Sequence, residues 1–178
     1  IVVDSRIELG RISKIAGELG VTQDIYMRVT GVEADTHEYI RTGCEDSKFG
    51  FTMLNDFASV RKDALDTPNV RLTGFHCHIG SQIFALHSFA EAVQVMVEFI
   101  ARVKETYGYE VEELDMGGGL GMLKADDKPS TIDEFAECTV NAVRENCERL
   151  GVKLPRLAVE PGRSLVATPG LTLYTVGI

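Results

Sequence analysis

No apolar stretch in this sequence approaches the roughly 20 residues that a helix needs to cross a bilayer, so no membrane partner is expected. Nor is there a Lys/Arg-rich run. With 18 basic against 27 acidic residues and a net charge of −9, the chain lacks the electrostatic footprint of a nucleic-acid surface. The four cysteines (Cys44, Cys77, Cys138 and Cys147) include no C-x-x-C pair. Cys138 and Cys147 fall in a helical pattern, where a free thiol packs as a small hydrophobe, and a reduced, cytoplasmic protein is expected. The opening Ile1-Val2-Val3-Asp4 carries neither Met nor a basic region, which argues against a signal peptide and for a segment excised from a longer protein.

What is present reads as one globular unit: 178 residues, 44% of them hydrophobic, suffice for one sizeable core. Five strand-like runs each end in polar or glycine-rich residues. They are Ile1–Val3, Asp24–Val29, Val70–Ile79, Val111–Met116 and Arg156–Glu160. Helical patterns follow nearly every one. Ser5 and Glu8 have capping-box spacing, Leu9, Ile12, Ala16 and Leu19 repeat at helical intervals, and Gly20 suits the C-terminal cap. A long polar loop runs to Gly50, and a weaker helix is expected near residues 54–65. Phe89, Val93, Met96, Val97, Ile100 and Val103 form one apolar stripe. Thr131 and Glu134 start a further helix, carrying Phe135, Val143 and Leu150 and ending at Gly151.

Strand alternating with helix implies an α/β fold with a parallel sheet, as either an open doubly wound sheet or a (β/α)8 barrel. In both, function gathers at the carboxyl ends of strands. Arg28, His76, His78, the triple glycine Gly117-Gly118-Gly119, Glu160 and Arg163 are therefore expected to converge.

Each motif has an ordinary reading beside a chemical one. Glycines after a strand let the backbone approach a ligand and can cradle a phosphate, or they are a tight turn forced by packing. The H-x-H pair His76/His78 offers a metal-dependent hydrolase site, an imidazole packed flat on an aromatic cofactor with Gly80-Ser81 at its phosphate, or a buried structural histidine. In Glu160-Pro-Gly-Arg163, the carboxylate can hold a proton on a heterocyclic nitrogen and the guanidinium can grip phosphate or carboxylate. The alternative is a loop ion pair. Together these parts describe a pyridoxal-phosphate (PLP) site without a Schiff-base lysine. Lys48 lies in a loop rather than at a strand end and is a poor candidate.

Five segments occurring in order carry a family resemblance: Thr36–Gly43 (T-H-E-Y-I-R-T-G), Asp46–Gly50 (D-S-K-F-G), Gly74–Ile83 (G-F-H-C-H-I-G-S-Q-I), Leu114–Gly121 (L-D-M-G-G-G-L-G) and Glu160–Ala167 (E-P-G-R-S-L-V-A). They resemble diaminopimelate decarboxylase, among the fold-type III PLP enzymes that also include ornithine and arginine decarboxylases. The resemblance implies a partial (β/α)8 barrel of the alanine racemase-like PLP-binding type over residues 1–170, lacking its first strands. Residues 171–178 would begin the strand leading to a C-terminal β-domain.

It further implies that His78 stacks on the PLP ring and that Ser81, Gly118, Gly119 and Gly162 serve the phosphate. Glu160 would meet the ring nitrogen, and Arg163 would bind cofactor and substrate carboxylate. The Schiff-base lysine would lie upstream of Ile1. The implied reaction is decarboxylation of meso-2,6-diaminopimelate to L-lysine and CO2 in a parent homodimer, to which the partner subunit lends a cysteine-containing loop. No metal is implied. Decarboxylases of ornithine, arginine or carboxynorspermidine are the rivals within the family, and a metal-dependent barrel hydrolase using His76 and His78 is the rival outside it.

Overall fold

A computed structural model of the protein describes residues 1–31, 48–53, 57–122 and 130–177. The polar segment containing the Thr36–Gly43 motif, with His37 and Cys44, and residues 54–56 of the expected weak helix lie outside the described residues.

The elements run β1 (Val2–Val3), α1 (Arg6–Glu18), β2 (Gln23–Thr30), β3 (Phe51–Thr52), a π-helical turn (Val60–Leu65), β4 (Val70–His76), α2 (Leu86–Tyr107), β5 (Glu113–Asp115), α3 (Ile132–Leu150), β6 (Arg156–Ala158) and α4 (Gly162–Val166). The sheet order is β1-β2-β4-β5-β6 with every pair parallel, and β3 adds a short ladder to the end of β2. Spatial order thus follows chain order. A doubly wound sheet reverses at its switch point, whereas a barrel does not, so this sheet is an arc of a (β/α)8 barrel.

The five expected strands are all present: the second is longer, at Gln23–Thr30, and the others are shorter, the third ending at His76, the fourth pairing only over Glu113–Asp115 and the fifth only over Arg156–Ala158. Two features differ from expectation. After Pro161 the chain turns into α4, and residues 171–177 form no strand. Leu171, Leu173, Tyr174 and Val176 stand 85–95% exposed, with no sheet edge beside them among the described residues.

Local chemistry explains where the helices start and stop. In α1 the Ser5 hydroxyl accepts from Glu8 N–H at 3.3 Å, while the Glu8 carboxylate reaches back to Asp4 N–H at 2.7 Å. That is a capping box displaced by one residue on its return side. Gly20, at φ 67°, supplies the left-handed turn after α1. In α3 the capping box between Thr131 and Glu134 is complete, and Gly151 closes the helix at φ 63°.

The core lies between the sheet and α2. All six stripe residues of α2 are buried, and Phe99 stands edge-on to Phe75 near the end of β4, with centroids 5.0 Å apart. Phe89 meets Phe135 of α3 in the same manner at 4.9 Å. Full burial of each such ring is worth about 2–3 kcal/mol. The α1 stripe is only half used: Leu9 and Ala16 are buried, but Leu19 is 71% exposed. Leu19 instead joins Ile1, Ile12, Ile15 and Val21 along a shallow apolar groove beside β1.

Among the described residues, no helix is long and apolar enough to cross a membrane. Cys77, Cys138 and Cys147 are free thiols.

Candidate cofactor and active site

The chemically distinctive side chains meet at the carboxyl ends of adjoining strands. Register pairs Arg28 of β2 with His76 of β4, and His76 with Asp115 of β5. The chain leaving β4 alternates as expected. Cys77 turns inward, 3.9 Å from the Met116 sulfur, while His76 and His78 point toward the loops after β5 and β6.

His78 Nδ1 accepts the Gly118 N–H at 3.2 Å. Its pKa is lowered from the ordinary 6.5, first by burial and then by the nearby charges of Arg28 and His76, with Glu160 opposing. His76 is buried, and its Nε2 lies 3.0 Å from Glu160 Oε2. The H-x-H pair therefore does not act as a pair. The three-ligand geometry that a cation needs falls on His76, Asp115 and Glu160, each offering one atom within 4.8 Å of the others, and not on His76 with His78. This corrects the donor set expected for the metal-dependent alternative. Register across β4 and β5 brings Asp115 beside His76, whereas His78 lies two residues beyond the strand.

The glycine turn answers to packing before it answers to any ligand. A Cβ on Gly118 would sit 2.3 Å from the Glu160 carbonyl oxygen, and one on Gly119, at φ 113°, 2.5 Å from the Gly80 carbonyl oxygen. The N–H groups of Gly117 and Gly118 already have protein acceptors, Asp115 Oδ1 at 2.9 Å and His78 Nδ1. Around Gly162, by contrast, there is open space for a Cβ. Ser81 and Arg163, 82 residues apart in sequence, meet at 3.3 Å between Oγ and Nε.

Sequence reasoning missed Asp115 and the pairing of His76 with Glu160. Asp115 is buried, with its carboxyl held above the usual carboxylate range chiefly by desolvation, while the Gly117 N–H and His76 oppose that shift. Its only sequence signal was position: it ends a strand and precedes three glycines. Arg28, expected at the site, is there. Its Nη1 lies 3.5 Å from Asp4 Oδ1 and its guanidinium 4.5 Å from the centroid of Phe49. Lys48 sits over the same Phe49 ring at 5.2 Å.

A barrel arc whose loops carry a neutral imidazole, a half-exposed carboxylate and a serine–arginine pair is of the class that binds a flat, phosphorylated cofactor at its mouth. The family follows from the sequence as a whole. The chain belongs to the pyridoxal-dependent decarboxylases, whose pyridoxal-binding domain matches residues 1–167. The cofactor of that domain is pyridoxal phosphate.

The chain is 41% identical over 180 residues to a diaminopimelate decarboxylase of Bacillus subtilis, covering 99% of this chain and 41% of that protein. It is 40% identical to one from Synechocystis, covering 99% and 38%. The crystal structure of diaminopimelate decarboxylase from M. jannaschii in complex with L-lysine superposes with a TM-score of 0.81 at 37% identity, covering 93% of this chain and 38% of that one. The chain thus spans about two-fifths of the length of the curated relatives it matches.

Proposed function

We propose that this chain is the cofactor-binding part of an enzyme that decarboxylates meso-2,6-diaminopimelate to L-lysine and CO2. One observation carries the reading: the Glu160 carboxylate is held by His76 at the end of β6, beside the neutral ring of His78. The donor set fits PLP. A neutral imidazole presents a flat face to an aromatic ring without adding charge. A carboxylate facing a ring nitrogen keeps a proton there. A serine hydroxyl beside a guanidinium suits a phosphate.

When bound, PLP supplies an electron sink for the electron pair left as CO2 departs. The residues of this chain bind and tune it. His78 would cover one face of the ring, and Glu160 would hold a proton on its nitrogen. Ser81 and Arg163 would take the phosphate, as their mutual contact favours. Gly118 N–H is already directed at His78, so the phosphate role passes chiefly to Gly119 N–H, with Gly162 leaving room for close approach. The exposed Arg163 keeps its Nη donors for the substrate carboxylate. The covalent lysine would come from outside this sequence.

The same reading takes residues 1–170 as barrel and 171–178 as the lead into a second, β-rich domain. The strong exposure of Leu171, Leu173, Tyr174 and Val176 supports it. A homodimer in the cytoplasm is the form implied for the whole enzyme, in keeping with the free thiols at Cys77, Cys138 and Cys147.

The test uses the full-length protein, titrated with PLP while its visible absorbance is followed. It is then offered meso-diaminopimelate, ornithine, arginine and carboxynorspermidine with product analysis. PLP uptake and L-lysine from meso-diaminopimelate alone are expected. Preferred turnover of another amine overturns the substrate. Activity that needs a bound metal and no PLP overturns the class.

A further inference from the structure

Glu160 stands on a Pro-Gly turn with half of its side chain open to solvent, where a carboxylate has several rotamers within reach. His76 is its opposite: only 4% of its side chain is exposed, at the end of a central strand. Its Nε2 lies 3.0 Å from Glu160 Oε2, and its Nδ1 is buried without a hydrogen-bond partner among the described residues. A buried nitrogen left unmatched is tolerated better as an acceptor than as a donor. The proton of a neutral His76 therefore sits on Nε2, and the N–H donates to the carboxylate.

The surroundings reinforce that assignment. Asp115, paired with His76 in the parallel register, is buried with one oxygen accepting the Gly117 N–H. Asp115, His76 and Glu160 each place one polar atom within 4.8 Å of the other two. Two carboxylates this close repel when both are ionised, and an imidazole donor among them holds the outer one in place. Arg28 on β2, paired with His76 in register, and His78 are the further ionisable groups beside it among the described residues.

We infer that His76 is the positioning residue of Glu160: its buried Nε2–H fixes the direction of the carboxylate that meets the cofactor's ring nitrogen. This rests on the reading of Glu160 given above. His76 touches neither cofactor nor substrate and acts only through Glu160.

The full-length holoenzyme tests it with His76→Leu, which removes the donor, and His76→Gln, which retains an N–H of similar reach. Each is made alone and with Glu160→Gln. The readouts are PLP affinity by equilibrium dialysis, the pH midpoint of the bound cofactor's visible absorbance, and kcat separately from KM. His76→Leu is expected to lower kcat by about tenfold to a hundredfold with KM little changed. It should also displace the pH midpoint of the visible band, and His76→Gln should recover most of both effects. In the Glu160→Gln background, His76→Leu should change kcat less than about twofold, because residues acting as a unit are not additive.

Equal losses in both backgrounds, or His76→Gln as damaging as His76→Leu with the midpoint unmoved, overturn the role of His76 while PLP binding by wild type leaves the Glu160 reading standing. Wild-type protein that takes up no PLP overturns both. Should His76→Leu fail to fold, His76→Asn, whose amide is too short to reach Glu160, replaces it with the same expectations.

Discussion

The Nδ1 of His78 accepts a hydrogen bond from the backbone N–H of Gly118, which places the imidazole proton on Nε2 and leaves the ring neutral. Burial, reinforced by Arg28 and His76, lowers the folded-state pKa below 6.5, so the unfolded chain takes up the proton first as the solution is acidified. The contribution of His78 to stability is therefore full above about pH 6.5 and is lost as pH falls through the lowered folded-state value. Thermal melts at pH 7 and pH 5 should show a larger drop for wild type than for His78→Gln. Parallel pH dependence in the two would show that His78 is not held neutral.

Glu160→Ala should separate chemistry from binding. On the proposed reading, ring-nitrogen protonation serves turnover, whereas the phosphate end carries most of the affinity. Turnover should fall by about a hundredfold or more while PLP occupancy stays within about threefold. Steady-state kinetics beside cofactor quantitation checks this, and unchanged turnover would remove Glu160 from the site.

Gly119→Ala tests the turn after β5. Its added Cβ would meet the Gly80 carbonyl oxygen at 2.5 Å, at a φ of 113° that L side chains rarely adopt. Strain of about 2–4 kcal/mol is expected, with PLP affinity falling along with the melting temperature. Chemical denaturation measures the first and dialysis the second.

At the other end of the cofactor, Ser81→Ala and Arg163→Lys should each weaken PLP binding. Arg163→Lys should do so by about tenfold, because an ammonium cannot replace a guanidinium fork beside a hydroxyl. Since the two side chains meet at 3.3 Å, the double variant should lose less than the sum of the single losses. Additive losses measured by PLP titration would place them on separate groups.

Cys77 offers a chemical check on the core. Burial, aided by Asp115, pushes its thiol up to about 12, so little thiolate forms near neutrality. Iodoacetamide at pH 8 should spare Cys77 in the native protein and modify it once denatured. Peptide mapping reads the difference.

The long helices were legible because their signals are local. Thr131 with Glu134, Gly151, and the apolar stripe of α2 all lie within a few turns of what they specify. Leu19 misled for the opposite reason: periodicity marks a face but not whether a neighbour covers it. The two residues of β3 carry no pattern of their own and are a strand only because β2 offers Val29 and Thr30. Of the proposed site, His78, Ser81, Glu160 and Arg163 could be singled out from the sequence, since each lies in the turn segment that follows a strand. Which histidine faces which acid could not. His76 and Glu160 are 84 residues apart, and their contact depends on the register of β4, β5 and β6 together.

The turn after β5 and the turn after β6 are stitched together. Glu160 N–H donates to the Gly117 carbonyl oxygen at 2.7 Å, and Gly118 leaves no room for a methyl group against the Glu160 carbonyl. The hydrogen bond and the close approach hold the two turns against one another. A ligand that engages either turn meets the other already in place and loses less conformational entropy on binding. By the same token, damage to the glycine turn should be felt at Glu160 as misdirection of its carboxylate, even when Glu160 itself is intact.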